Sequence, residues 1–250
     1  MSEFKENWKL FWKNVWECVK ASLLALIMYF AASSFLFMMT MQDEKVVGFT
    51  GGRIAWVIGC AAVALAYHGF LMYANGGTGY EMLVSGNMKR MSAGGTGVRI
   101  SSHKEEKEYR AWRGFASGAL VTLFVVAAGL FMGANQTAID LALADPKNNP
   151  LSPPGLAIGV LIVYFLSGWS VLPFYFLAQS GMVVSYYWSC LFGVLPILVS
   201  GIFYIVGAYG RRNKAIREQE LADRAAAAAA AKPKKINYGG LPGTKPKKRK

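Results

Sequence analysis

The stretch that decides the fold is residues 155–210, "GLAIGVLIVYFLSGWSVLPFYFLAQSGMVVSYYWSCLFGVLPILVSGIFYIVGAYG", which contains no Lys, Arg, Asp or Glu. As one straight α-helix it would extend about 84 Å, whereas the hydrocarbon core of a bilayer is roughly 30 Å thick. The block is therefore long enough to enter a membrane more than once, and the way it folds back determines the architecture.

Three earlier runs, residues 21–41, 54–74 and 114–134, also lack charged side chains. Each has the length that one helix needs to cross a bilayer. Over the whole chain 54% of residues are hydrophobic and only 16% are charged, against about 25% charged in a soluble domain. The sequence predicts an all-α integral membrane protein, a helical bundle of about six transmembrane helices with five as the alternative. The bundle is expected over residues 21–210.

The basic residues are distributed unevenly between the segments that join the apolar runs. Of the 27 Lys and Arg, 24 lie in residues 1–20, 75–113 and 211–250, and three lie in residues 42–53 and 135–154. Because cytoplasmic segments collect Lys and Arg, we expect both termini and the 75–113 loop in the cytoplasm. This pattern favours a multi-pass protein of the plasma membrane, with a bacterial inner membrane preferred.

The same pattern requires an odd number of crossings within the long apolar block. Three crossings of about 18 residues each fit tightly and give the favoured total of six. One crossing plus a re-entrant hairpin also fits, provided that protein shields the backbone of the hairpin. Breaks are expected at "SGWS" (Ser167–Ser170), at Pro173 or at "QSG" (Gln179–Gly181). Hydropathy alone would cut the block once, near "QSG", and give five crossings.

Residues 1–20 are predicted to form an amphipathic helix. Phe4, Trp8, Phe11, Trp12 and Trp16 recur at helical spacing, with lysines on the other face. Such a helix suits the headgroup layer of a membrane. The alternative is that these residues form the cytoplasmic end of the first span.

The 75–113 loop contains the string GGTG twice, at Gly76–Gly79 and Gly94–Gly97. Neither copy belongs to a G-x-x-x-x-G-K-[ST] or G-x-G-x-x-G phosphate motif. We expect hinge glycines on either side of a short amphipathic helix, since glycine interrupts helices. Its apolar stripe is the candidate partner contact and consists of Tyr80, Leu83, Val84, Met88 and Met91.

The C-terminal segment is predicted to have two parts. Residues 211–231 are rich in helix formers and should extend the last span as a cytoplasmic helix. Residues 232–250 are rich in Lys, Pro and Gly and should be disordered. Because clustered basic side chains favour anionic headgroups, the candidate lipid contacts are Lys232, Lys234, Lys235, Lys245, Lys247, Lys248, Arg249 and Lys250. Nucleic acid is the less favoured polyanion, since the tail has a single aromatic residue.

Few residues offer chemistry inside the membrane. His68 is the one candidate intramembrane polar site, and its structural interpretation, a hydrogen bond to a neighbouring helix, is favoured over a role in a proton path. No catalytic constellation, metal-ligand spacing or cofactor motif appears. The chain is therefore expected to have no enzymatic activity and no cofactor.

The predicted architecture resembles the membrane subunits of ABC-2-type exporters, which have an N-terminal elbow helix, six spans, and a loop between spans two and three that contacts an ATPase. The resemblance implies an elbow at Phe4–Val19 and an ATPase contact at Tyr80–Met91. The leading functional hypothesis is a membrane protein that acts through partner or anionic-lipid contacts of its loop and tail. The alternative is an exporter subunit that needs a separate ATPase.

Overall fold

The computed structural model describes residues 2–41, 48–85, 111–144 and 148–231, and this part of the chain is helical with no strand. The chain divides into two compact units, Met1–Arg211 and Arg212–Lys250. The elements in chain order are α1 (Ser2–Met41), α2 (Gly51–Ser85), α3 (Trp112–Ala134), α4 (Gln136–Ala144), α5 (Pro154–Gln179), a 3-10 helix (Tyr186–Gly193) and α6 (Val194–Ala231).

Five helical segments in the described ranges are long and apolar enough to cross a bilayer. They are Asn14–Thr40, Gly51–Tyr80, Trp112–Ala134, Pro154–Gln179 and Tyr186–Ala230. The prediction of an all-helical fold is therefore confirmed for the described residues, with five helices long and apolar enough to span a membrane.

Side-chain contacts define the direction of each helix in the first unit. Cys18 of α1 bonds to the carbonyl of Arg113 at the start of α3, and four residues further on Ser22 bonds to Ser117. Helices α1 and α3 are therefore parallel. Helix α2 runs antiparallel to them, because Tyr29 meets His68 at mid-length whereas Arg53, at the start of α2, donates to the carbonyl of Thr40.

The last apolar segment runs antiparallel to α3. Thr122 donates to the carbonyl of Gly193 at 2.6 Å, Gly133 lies against Tyr187, and Gly114 lies against Tyr204. These contacts show which residues lie together at each of the two ends of the bundle. The lower end holds Cys18, Gly76, Arg113 and Tyr204, and the upper end holds Thr40, Arg53, Ala134 and Tyr186.

Helix α5 does not run from one end of the bundle to the other. The rings of Tyr164 and Tyr175 are 5.4 Å apart, although eleven residues of straight helix would separate them by about 16 Å. Gly159 lies against Phe131 near the end of α3, and Gln179 bonds to Arg53. Both ends of α5 therefore lie at the upper end, and the element is a hairpin with legs at residues 154–166 and 168–179.

The turn of this hairpin lies about halfway down the bundle. Ser167 departs from helical geometry, with φ −136° and ψ 23°, and Trp169 packs on Tyr29 with ring centroids 5.2 Å apart. From Thr40 at the upper end to Tyr29 is about 16 Å along α1. All side chains from Ser167 to Pro173 are buried, so neighbouring helices surround the turn.

The favoured arrangement of three lengthwise helices in residues 155–210 does not match the structure. The block contains one hairpin and one lengthwise segment, which is the arrangement of the re-entrant alternative, and the break falls at "SGWS". Length alone allowed three helices of 18 residues. The helix breaks at "SGWS" because serine side chains form hydrogen bonds with the backbone of the turn. Pro173 also favours the break, because it has no N–H to donate to a helical carbonyl.

Two expectations about the flanking segments also differ from the structure. Helix α1 is continuous from Ser2 to Met41, so residues 1–20 are not a separate element. Helix α2 continues through the first GGTG string to Ser85, so Gly76 and Gly77 do not act as a hinge. The second GGTG string lies outside the described residues.

Gly76 instead permits a close crossing of two helices. A methyl group at Gly76 would collide with the backbone carbonyl of Tyr204, and one at Gly207 would collide with the carbonyl of Tyr73. Small residues at helix crossings let backbones approach in membranes, where packing replaces the hydrophobic driving force. The first GGTG string, which was predicted to be a hinge, is therefore part of the contact between α2 and α6 at the lower end.

We expect Gly76→Ala or Gly207→Ala to lower the free energy of unfolding in detergent by about 1–3 kcal/mol, because each methyl group overpacks the crossing. Gly59→Ala is the matched control, since a methyl group at Gly59 of α2 would meet nothing within 4 Å. Equal stability of all three variants would contradict the close crossing.

Candidate functional site

Several buried polar side chains lie around the turn of the α5 hairpin, namely Ser33, His68, Ser167 and Ser170. A turn inside an apolar bundle interrupts the helical hydrogen bonds, and each buried backbone group then needs another partner. The backbone N–H of Trp169 donates to the Ser33 hydroxyl of α1 at 3.3 Å. The Ser170 hydroxyl donates to the carbonyl of Ser167 at 2.9 Å. Two serines therefore compensate the break, one from the hairpin and one from the helix beside it.

A tyrosine–histidine pair lies next to the turn. The Tyr29 hydroxyl is 3.2 Å from Nδ1 of His68, and both side chains are fully buried at 1% and 0% exposure. Their rings meet edge to face, with centroids 5.7 Å apart. Trp169 packs on the other side of Tyr29. The pair thus joins α1 and α2 and forms the surface on which the hairpin turn rests.

The surroundings of His68 favour a structural role over an acid–base role. Nε2 of His68 has no hydrogen-bond partner within the described ranges, and the neighbouring aromatic side chains Tyr29 and Trp169 carry no charge. In the described parts of the chain no three His, Cys, Asp or Glu side chains come together as a metal site would require. The arrangement can fix the relative positions of three elements, α1, α2 and the α5 hairpin.

A buried arginine holds the upper end of the hairpin. Arg53 is 6% exposed. Its guanidinium donates to the carbonyl of Thr40 at 2.8 Å, to the carbonyl of Gly48 at 3.0 Å and to Oε1 of Gln179 at 2.9 Å. It also lies 4.6 Å from the ring centroid of Phe176. One side chain therefore connects the end of α1, the start of α2 and the second leg of α5.

The segment before α2 adds further bonds to the same junction. The backbone N–H of Phe49 donates to the Ser180 hydroxyl at 2.8 Å, and that hydroxyl donates to the carbonyl of Phe176 at 3.0 Å. Gly48 has a φ of +82°, and a Cβ there would lie 2.5 Å from the Ser180 hydroxyl oxygen. The left-handed conformation and the close contact both require glycine.

Sequence reasoning identified His68 and missed Arg53. Arg53 was counted as one of three basic residues outside the membrane, and nothing in its neighbourhood marked it as a hydrogen-bonding centre. The sequence signal that could have identified Arg53 is its position directly before the charge-free run that begins at residue 54. An arginine there can bury its aliphatic stem while its guanidinium N–H groups remain hydrogen-bonded.

The predicted contact residues of the loop and tail are only partly described. Tyr80 is half-buried near the end of α2. Leu83 and Val84 belong to α2, and their side chains are outside the described set, as are Met88 and Met91 altogether. The eight basic residues of the tail, from Lys232 to Lys250, also lie outside it. These two predicted sites stay predictions.

No protein family, curated protein or solved structure matches the chain.

We expect Arg53→Ala to release the second leg of the hairpin, because the substitution removes three charge-assisted hydrogen bonds in one step. The free energy of unfolding should fall by about 2 kcal/mol or more. Amide hydrogen exchange of residues 175–182 should rise strongly, with little change around Ser33.

Arg212→Ala is the control, since Arg212 is exposed. Arg53→Lys should restore part of the protection, because an ammonium can keep one or two of the bonds but not the fork geometry. Unchanged exchange at residues 175–182 in Arg53→Ala would refute the role of Arg53 as an anchor.

Proposed function

We propose that this chain is a plasma-membrane protein without enzymatic activity that works through the surface at its lower end, by contact with anionic lipid headgroups. It crosses the membrane four times, through α1, α2, α3 and the Tyr186–Arg211 segment. The α5 hairpin enters from the outer side and returns to it. Both termini and the 75–113 loop are then cytoplasmic.

The observation that carries this proposal is the position of the helix ends. The start of α1, the end of α2, the start of α3 and the end of the membrane part of α6 are all at the lower end. The residues at and beyond these points, 1–20, 75–113 and 211–250, contain 24 of the 27 Lys and Arg. A hairpin in place of a fifth crossing therefore agrees with the positive-inside rule, whereas five full crossings would put the tail and the 75–113 loop on opposite sides.

Charge also supports anionic lipid as the partner. Residues 211–250 have 13 basic and three acidic side chains, which is +10 of the net +13 of the chain. Each Lys or Arg close to an anionic leaflet contributes about 1 kcal/mol to binding, and salt screens the attraction. Residues 1–20 add four lysines, whereas residues 42–53 and 135–154 together contain three basic residues.

The exporter hypothesis needs a separate amphipathic helix between the second and third spans. Continuation of α2 to Ser85 places the first half of the predicted contact, Tyr80 to Val84, within α2. This disfavours the exporter subunit relative to a lipid-binding protein, although Met88 and Met91 are outside the described residues.

The test is binding of full-length protein in zwitterionic nanodiscs to vesicles with and without phosphatidylglycerol. Replacing the eight basic residues of the 232–250 tail with glutamine should weaken binding to the anionic vesicles more than tenfold, since several contributions of about 1 kcal/mol are lost. A variant with the seven lysines changed to arginine keeps the charge and should bind as the natural chain does. Equal binding of the glutamine variant, or binding insensitive to salt, would overturn the proposal.

A further inference from the structure

A second buried arginine lies at the lower end of the bundle, where α1 meets α3. Arg113 is the second residue of α3 and is 9% exposed. Its backbone carbonyl accepts a hydrogen bond from the Cys18 thiol at 3.6 Å, and its guanidinium interacts with the same thiol. The charged group therefore lies against the contact between the two helices.

The part of the chain that the structure describes provides no counter-ion for Arg113. No ion pair there includes it, and the carboxylate of Glu17, which precedes Cys18 on α1, is paired with Lys20 at 3.3 Å. Nε of Arg113 is enclosed and has no hydrogen-bond partner in that part, whereas the two terminal nitrogens are not enclosed in this way. A charge that loses water contacts is costly without an opposite charge and hydrogen-bond acceptors. An external anion that reaches the terminal nitrogens would supply both.

The depth of Arg113 corresponds to the headgroup layer of the lower leaflet. From Arg113 to Ala134, helix α3 rises about 32 Å, which is close to the roughly 30 Å of a hydrocarbon core. Trp112 beside it is 40% exposed, and Trp16, two residues before Cys18, is 57% exposed. Tryptophan is enriched at the boundary between hydrocarbon and headgroups. The guanidinium of Arg113 therefore lies at the height of the lipid phosphates.

We propose that Arg113 binds the phosphate group of an anionic phospholipid in the cytoplasmic leaflet, with the terminal nitrogens of the guanidinium donating to two phosphate oxygens. The planar fork of arginine matches phosphate in this bidentate way, and the resulting hydrogen bonds are charge-assisted. The inference rests on the proposed contact of the lower end with anionic headgroups. It adds a defined site for a single lipid to the general attraction by the basic tail.

Salt distinguishes such a site from the tail. Contacts of exposed lysines with headgroups are screened by salt, whereas a largely buried charge pair is screened much less. Binding at Arg113 should therefore persist at a salt concentration that abolishes attraction by the tail.

The experiment measures binding of a fluorescent phosphatidylglycerol to full-length protein in neutral detergent at about 0.3 M salt, where the Debye length is well below 10 Å. We expect saturable binding that excess unlabelled phosphatidylglycerol abolishes. A phosphate group can also come from free phosphate, and an excess of inorganic phosphate separates the two sources. The lipid assignment predicts no displacement by inorganic phosphate, and complete displacement would overturn it in favour of free phosphate.

Three variants test the role of Arg113. Arg113→Gln removes the charge and should weaken binding tenfold or more, because hydrogen bonds to a charged group are lost. Arg113→Lys keeps the charge without the fork and should have an intermediate affinity. Arg212→Gln is the matched control, since it removes one exposed basic side chain and should stay within twofold of the natural chain.

Equal affinity of the Arg113→Gln and Arg212→Gln variants would refute the site. If Arg113→Gln does not fold, equal affinity of Arg113→Lys and the natural chain would refute it as well. The variant with eight glutamines in the tail separates this inference from the proposed function. Loss of vesicle binding in that variant, with normal binding by Arg113→Gln, would refute the Arg113 site alone. Weak binding by Arg113→Gln, with normal vesicle binding by the tail variant, would refute the role of the tail and leave the site.

Discussion

A helix that turns back inside a membrane must supply a partner for every backbone group that the turn exposes, because hydrocarbon supplies none. In this protein the partners are Ser33 and Ser170, and the side chains around them are packed by Tyr29 and Trp169. The position of Ser33 on α1 sets the depth of the turn. That depth in turn places both ends of α5 at the same end of the bundle. The Arg53 junction and the direction of the final segment follow from this placement.

The two ends of the molecule have different chemistry. At the upper end Arg53 is buried and hydrogen-bonded to two backbone carbonyls and to Gln179. At the lower end the helices approach through glycines, and the segments that continue from them are strongly basic. A buried, hydrogen-bonded arginine serves packing, whereas exposed lysines remain available to an external anion. This division supports the proposed lipid contact at the lower end.

The sequence allowed the apolar helices to be predicted well, because a charge-free run of about 20 residues has one common explanation in a membrane protein. The distribution of Lys and Arg also required an odd number of crossings in residues 155–210. One crossing plus a re-entrant hairpin was among the arrangements that this requirement left open. Length alone favoured three crossings. The choice between three crossings and a hairpin depends on contacts between distant residues, such as Trp169 with Ser33 and Gln179 with Arg53. No local sequence pattern indicates contacts between residues more than a hundred positions apart.

The first GGTG string was wrongly predicted to be a hinge for a related reason, because glycine occurs both in hinges and at close helix crossings. His68 was identifiable because polar residues are rare in apolar runs, whereas its partner Tyr29 was not.

The central claim is that residues 148–153 and residues 181–184 lie on the same, outer side of the membrane. Single cysteines at Ser152 and Val183, in a chain whose Cys18, Cys60 and Cys190 are replaced by alanine or serine, report on this with a maleimide that does not cross membranes. Val183 is fully exposed and therefore accessible to the reagent. The account predicts that both cysteines react in intact cells, while a cysteine at Arg212 reacts only after permeabilisation. Reaction at position 152 in intact cells with position 183 protected until permeabilisation would show that α5 crosses the membrane, and would contradict the hairpin.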